Sequence, residues 1–315
     1  MRAWLFPGQG AQAVGMGRDL AAAYPAARAV FEEVDDALSE PLSRLTWEGD
    51  LDTLTLTRNA QPALMATSLA AVRALEAEGA PLSAAAYVAG HSLGEYSALC
   101  AAGSLSLADA ARLLRLRGEA MQAAVPVGEG AMAALLGLDF ESAAQVAAEA
   151  ASEGGVVQAA NDNDPAQVVV SGTRAAVERA VAIAKARGAR RALLLPVSAP
   201  FHCALMAPAA AAMEAALAAV PIAPPRVPVI ANVLAEPVPD AAAIAPLLVR
   251  QVTGSVRWRE SVLWLASAGV AETWEVGAGR ALSGMVRRTA PALATRTIST
   301  PAEAARVSSP SPPNA

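Results

Sequence analysis

The sequence predicts an α/β chain in which a small domain interrupts a larger one, and two observations carry that expectation. One is the pentapeptide Gly90-His91-Ser92-Leu93-Gly94, a G-x-S-x-G sequence set between an apolar run at 84–89 and a helix-like segment. The other is a succession of periodic segments from 131 to 197 in β-α-β-β-α-β order, which is the order of a ferredoxin-like unit. At 315 residues the chain is long enough for about two domains. Because α/β segments stand on both sides of the unit, it is expected as an insertion, 128–197, in a discontinuous larger domain of 1–127 and 198–298.

Taken in order, residues 3–6 form a short buried strand. It ends at Pro7-Gly8-Gln9-Gly10, a turn that needs the backbone freedom of glycine. Helical periodicity follows at 18–38 and at 62–78, the second with Pro62 in its first turn, where a missing N–H is not needed. After the pentapeptide and its helix, Ser106 or Ser104 caps a helix at 107–124. The insertion reads as strand 131–138, helix 141–152, strands 156–160 and 167–171, helix 175–188 and strand 192–197. Beyond it come a helix at 205–219, a proline-broken stretch with a strand at 227–232, a helix at 257–268 and a strand near 273–276. Residues 299–315, rich in Ser, Pro and Ala, read as a disordered tail. No internal repeat is visible.

Apolar residues make up 54% of the chain, but much of this is alanine, and Glu95 and Glu214 interrupt the longest apolar stretches. No membrane span is therefore expected. The apolar run at 3–6 is too short for a signal peptide, which makes a cytoplasmic location the default expectation. The two cysteines, Cys100 and Cys203, cannot build a disulfide framework and have no metal-ligand spacing, so neither a metal nor another cofactor is expected. A net charge of -5 argues against nucleic-acid binding. A monomer is the default expectation.

In a G-x-S-x-G elbow the serine sits on a strained strand-to-helix turn, with its hydroxyl exposed and the helix N-terminus aimed at charge developing on a substrate. A serine nucleophile needs a base, and the chain has only two histidines, His91 and His202. Successive side chains diverge on an elbow, so His91 is expected to point into the protein and His202 to be the base. Pro196 and Pro200 stiffen the approach to it. An acid to orient His202 is not obvious: Asp139, Asp162 and Asp164 all fall inside the insertion, and a backbone carbonyl could serve instead. Arg117 shares a helix face with Leu113, Leu114 and Met121, while Arg112, Arg115 and Glu119 share the opposite one. An inward arginine requires a partner. It is either a structural salt bridge, with Glu95 as candidate, or a fork for a substrate carboxylate.

Phe6-Pro7-Gly8-Gln9-Gly10, Gln61-Pro62-Ala63, Gly90 to Tyr96, Arg117-Gly118, Phe201-His202 and Arg250-Gln251-Val252 occur in this order. Over 1–290 they resemble the malonyl-CoA:acyl carrier protein transacylases of bacterial fatty acid synthesis. The resemblance implies an α/β hydrolase-like large domain with a parallel sheet and the ferredoxin-like domain inserted, the active site lying between them. It further implies that Ser92 is acylated by malonyl-CoA, with His202 as base, the main-chain carbonyl of Gln251 orienting it, and Arg117 binding the malonyl carboxylate. Backbone N–H groups of Gln9 and Leu93 would form the oxyanion hole, Gln61 would lie near the acyl group, and Asn161 or Asn163 along the cleft. Phe201 is similar to the residue of malonyl-selective acyltransferases, since its bulk would crowd an α-methyl branch. The second substrate would be an acidic acyl carrier protein, docking on Lys185, Arg187, Arg190 and Arg191 or on Arg287 and Arg288. A serine thioesterase, or an acyltransferase of a polyketide or malonate-processing system, would use the same elbow and base.

Overall fold

Residues 3–6 have no polar alternation, and the structure shows why: this strand lies at the centre of a sheet with packed side chains on both faces. The computed structural model describes residues 1–307. Its strands are β1 (Arg2–Phe6), β2 (Tyr87–Gly90), β3 (Gly130–Leu136), β4 (Val157–Asp164), β5 (Gln167–Thr173), β6 (Arg191–Leu194), β7 (Val229–Ala231), β8 (Glu236–Pro237), β9 (Glu272–Val276) and β10 (Ala294–Ile298). The large sheet has the order β10-β9-β1-β2-β7-β8 and is parallel except for β8. Trp4 and Phe6 face a core built on the helices Thr57–Ala77 and Leu107–Ala123, whereas Ala3 and Leu5 face the helices Trp258–Ser267 and Ala281–Thr289.

The small sheet has the order β4-β5-β3-β6 and is antiparallel throughout, the arrangement of a ferredoxin-like unit. One face carries the helices Phe140–Ser152 and Arg174–Ala186 through Val146, Ala150, Val177 and Ala180. The other, through Met132, Ala134 and Val169, turns toward the large sheet and lines a cleft. The edge strand β4 is fastened to the large unit. Asp162 N–H donates to the Val256 carbonyl and Val256 N–H to the Ala160 carbonyl, both at 2.9 Å. Two buried carboxylates add ion pairs, Asp162 with Arg259 at 2.9 Å and Asp164 with Arg288 at 2.8 Å.

Several elements differ from the sequence expectation. The segment 18–38 is two helices, Arg18–Ala23 and Pro25–Leu38, because Pro25 drives Tyr24 into the extended region (φ -124°, ψ 114°). The helix expected from Pro62 begins at Thr57, leaving Pro62 inside it. Its extra turn packs on Gly118, where a Cβ would stand 2.6 Å from Arg58 Cα, and that close contact outweighs the proline penalty. Helices at Leu42–Glu48, Leu51–Thr55, Ala241–Thr253 and Ala281–Thr289, and strand β10, add to those expected. The segment expected as tail starts with a helix, Pro301–Ala305, held by a Thr300/Glu303 capping box. Residues 308–315, the rest of that expected tail, lie outside the described residues. No described helix is long and apolar enough to cross a membrane.

Candidate active site

β2 ends at Gly90 and the next helix starts at Gly94, leaving His91, Ser92 and Leu93 to make the turn. Ser92 takes the left-handed conformation, φ 54°. Both flanking glycines are sterically required: a Cβ on Gly90 would lie 1.9 Å from the carbonyl carbon of Gly94, and one on Gly94 2.3 Å from the Phe6 oxygen. Asn232, just beyond β7, clamps the turn by accepting from Ser92 N–H at 2.8 Å and donating to the Gly90 carbonyl at 2.7 Å.

His202 reaches this serine from the loop after β6, also with a positive φ, 58°. Its Nε2 is 2.8 Å from Ser92 Oγ, and its Nδ1 is 2.9 Å from the main-chain oxygen of Gln251. A carbonyl can only accept, so Nδ1 carries the proton and Nε2 presents its lone pair to the serine. The ring is 4% exposed. Burial first, and then the charge of Arg117, lower its pKa to about 3, so it stands neutral and ready to take a proton. Asp139 is occupied capping the helix that starts at Phe140, and Asp162 and Asp164 hold their arginines. The carbonyl alternative is the one the chain uses. His91 points away, with Nε2 2.9 Å from Asn163 Oδ1 and its ring against Trp258.

Arg117 comes from the helix Leu107–Ala123 and is 1% exposed. Nη1 donates to Gln61 Oε1 at 2.8 Å, while Nη2 donates to Gln251 Oε1 at 2.8 Å and to Ser92 Oγ at 3.2 Å. The salt bridge to Glu95 is not formed. Instead Glu95 Oε2 accepts from Gln251 Nε2 at 2.7 Å and from Asn232 N–H at 3.1 Å, and burial pushes its pKa up to about 7. Neutral amides thus hold the guanidinium, and its charge faces the serine. Arg115, expected on the exposed face of the same helix, is buried and paired with Asn59 at 2.5 Å and Glu40 at 2.8 Å. The helices Pro25–Leu38 and Thr57–Ala77 both pack on this helix, so more than one of its faces is covered.

These groups open into a cleft of about 460 Å³ between the two sheets. Gln9, Gln61, Leu93, Asn161, Asn163 and Phe201 all line it, so every residue singled out in the sequence for the site except Gln251 reaches its wall, and Gln251 stands behind it. Gln9 Nε2 donates to Thr57 Oγ1 at 3.2 Å, which is 3.1 Å from Ser198 Oγ, tying the first turn to the chain leaving the small sheet. The sequence reading passed over the contacts of Asn232 and Thr57 and the apolar wall of Met132, Leu282 and Met285. A signal existed for Asn232: it ends a strand of a parallel sheet at the carboxyl edge, where ligand sites gather. Among the described residues no cluster of His, Cys, Asp and Glu could hold a metal, and Cys100 and Cys203 are free and buried.

Comparison with known proteins matches residues 3–294 to the family described as the acyl transferase domain. The malonyl CoA-acyl carrier protein transacylase of Bacillus subtilis strain 168 is 48% identical over 299 residues, covering 95% of this chain and 93% of that protein. A crystal structure of the acyl-carrier-protein-S-malonyltransferase of Bartonella henselae superposes with a TM-score of 0.95 at 54% identity, covering 97% of this chain and 98% of that one. A malonyl-transacylase solved in complex with its type II PKS acyl-carrier protein superposes with a TM-score of 0.93 at 43% identity, with the same coverage.

Proposed function

This chain belongs to the malonyl-CoA:acyl carrier protein transacylases of the acyl transferase family, and we propose that Ser92, His202 and Arg117 carry the reaction that defines them. The enzyme moves a malonyl group from malonyl-CoA to the phosphopantetheine thiol of acyl carrier protein, a step of fatty acid biosynthesis. The observation that supports the residue roles is the convergence on one hydroxyl. Ser92 Oγ has the neutral His202 Nε2 at 2.8 Å on one side and the buried guanidinium of Arg117 at 3.2 Å on the other.

The chemistry follows from that placement. Ser92 Oγ attacks the thioester carbonyl as its proton passes to His202 Nε2, and the carbonyl of Gln251 stabilises the imidazolium through Nδ1–H. The tetrahedral oxyanion is held by the N–H groups of Gln9 and Leu93, each such donor contributing about 10²- to 10³-fold in rate. Collapse breaks the carbon–sulfur bond, and the departing coenzyme A thiolate takes the proton back from His202. The carrier thiol then gives its proton to His202 and attacks the malonyl ester. The carbon–oxygen bond to Ser92 breaks, and His202 reprotonates the serine. Two half-reactions through one acyl-enzyme give ping-pong kinetics, and exchange of one thioester for another leaves the equilibrium near unity. The substrate carboxylate replaces Ser92 Oγ as a partner of Arg117, which fixes the acyl group while the thiol arrives.

Intact-protein mass spectrometry after brief mixing with malonyl-CoA tests this reading. Wild type is expected to carry a malonyl adduct that Ser92→Ala lacks and that disappears on addition of carrier protein. Free malonate released without an acceptor would instead mark a thioesterase.

A further inference from the structure

The reaction leaves one buried carboxyl at the site unused. Glu95, in the first turn of the helix that begins at Gly94, is 1% exposed. Its Oε2 receives Gln251 Nε2 and the backbone N–H of Asn232. Gln251 spans the gap from there to Arg117: Nε2 also donates to the Ser92 carbonyl at 2.9 Å, and Oε1 accepts from Arg117 Nη2 at 2.8 Å. A glutamine amide has one donating and one accepting end. With an acceptor oxygen on one side and a guanidinium on the other, only one orientation satisfies both neighbours. The flipped amide would set oxygen against oxygen and NH₂ against guanidinium.

The same geometry explains why the bridge is indirect. A carboxylate bonded directly to Arg117 would occupy the fork that a substrate carboxylate needs. One amide further away, Glu95 still favours the charged guanidinium and leaves the donors facing Ser92 available. We propose that Glu95 is a positioning residue, aiming Arg117 at the substrate carboxylate through the amide of Gln251 and thereby setting the preference for malonyl over acetyl groups. This rests on the reading of Arg117 given above.

The oxygen at this position, rather than its charge, is what positions. Asn232 N–H is a backbone donor fixed at the end of β7 and demands an acceptor where Oε2 stands. A glutamine at 95 must therefore place its carbonyl there, and Gln251 keeps its orientation. A leucine offers no acceptor, so Gln251 Nε2 loses its 2.7 Å contact and keeps only the Ser92 carbonyl at 2.9 Å and the longer Asn232 Oδ1 contact at 3.4 Å, which holds the amide less firmly against Arg117.

The test compares the rates of Ser92 acylation by malonyl-CoA and by acetyl-CoA. Glu95→Gln is expected to keep the malonyl-to-acetyl ratio within about 3-fold of wild type, and Glu95→Leu to lower it about 10-fold while retaining the acetyl rate. In an Arg117→Ala background Glu95→Leu should leave the ratio where it is, because the two residues act through one contact chain. Equal loss of both rates in Glu95→Leu, a collapsed ratio in Glu95→Gln, or a further fall of the ratio without Arg117 overturns the proposal. Should Glu95→Leu not fold, Gln251→Met cuts the same bridge while keeping the main-chain carbonyl for His202, and an unchanged ratio there overturns it equally. A ratio unaltered by Arg117→Ala alone would instead reject the carboxylate role of Arg117 itself.

Discussion

Ser92 and His202 both hold a left-handed backbone, at φ 54° and 58°, where a side chain costs about 1–3 kcal/mol each. Hydrogen bonds from elsewhere in the fold offset that strain: Asn232 takes Ser92 N–H, and the Gln251 carbonyl takes His202 Nδ1–H. Removing the guanidinium in Arg117→Ala should lower kcat/KM for malonyl-CoA by about 1.5–3 kcal/mol, or about 10- to 150-fold, with far less loss for acetyl-CoA. Steady-state kinetics with both thioesters checks this, and an equal loss would remove the carboxylate from the account. The pKa of His202, depressed by burial and by Arg117 to about 3, gives a second expectation. A free histidine binds its proton near 6.5 but the folded one only near 3, so the imidazole stays neutral as the solution is acidified. Single-turnover acylation of Ser92 by acetyl-CoA should therefore pass from about pH 7.5 to about 5.5 without an inflection near 6.5. The same sign applies to stability: the contribution of His202 is complete above about 6.5 and is lost as pH falls toward 3.

At the scale of elements, the elbow is a junction of three backbones. β1 passes so close beneath it that a methyl group on Gly94 would meet the Phe6 oxygen, and one on Gly90 would meet Gly94 itself. Gly94→Ala should destabilise the protein by about 3 kcal/mol, since neither neighbour is a side chain that can turn aside. A thermal melt showing an unchanged Tm would contradict this. Local signals marked most of the other boundaries, Ser106 capping its helix through Asp109 N–H among them. The break at Tyr24 also had its signal in Pro25. What misled at Pro62 was the reverse case, in which a close helix–helix contact at Gly118 outweighed a residue that locally argues for a helix start.

Across the whole molecule, the cleft depends on how two sheets are joined. Asp162 is fully buried and holds Arg259, so Arg259→Met should cost about 3–5 kcal/mol by leaving a carboxylate without its partner. Combining it with Asp162→Asn should recover most of that loss, and chemical denaturation of the three variants measures both steps. The ion pairs also bear on where the carrier protein docks. Arg288 is bonded to Asp164 and Arg287 to Thr295, and the exposed Arg187 pairs with Glu149, which leaves Lys185, Arg190 and Arg191 as the exposed cations of the first patch with no ion pair among the described residues. Charge reversal at Arg190 and Arg191 should raise KM for the carrier while the coenzyme A half-reaction keeps its rate. An unchanged KM would place the docking face elsewhere.

The chain's own order of residues determined whatever depends on neighbours in sequence. The glycine spacing of the elbow, the β-α-β-β-α-β succession and the inward side of Arg117 are properties of short windows, and the choice of His202 follows from there being two histidines to consider. The same motifs, through the family they resemble, also pointed to a carbonyl at Gln251. Only the tertiary structure decided which alternative held among the residues themselves. Asp139, Asp162 and Asp164 were all chemically able to orient a histidine, and each proved to be engaged elsewhere. Arg117 had a carboxylate within reach at Glu95 and met two amides instead. A main-chain carbonyl 49 residues along the chain carries no side-chain signature, and Asn232 comes within reach of Ser92 only because β7 lies beside β2 in the sheet. Contacts of that range are set by how the chain returns on itself, since a residue's chemistry says what it can bond to and the fold decides what is there.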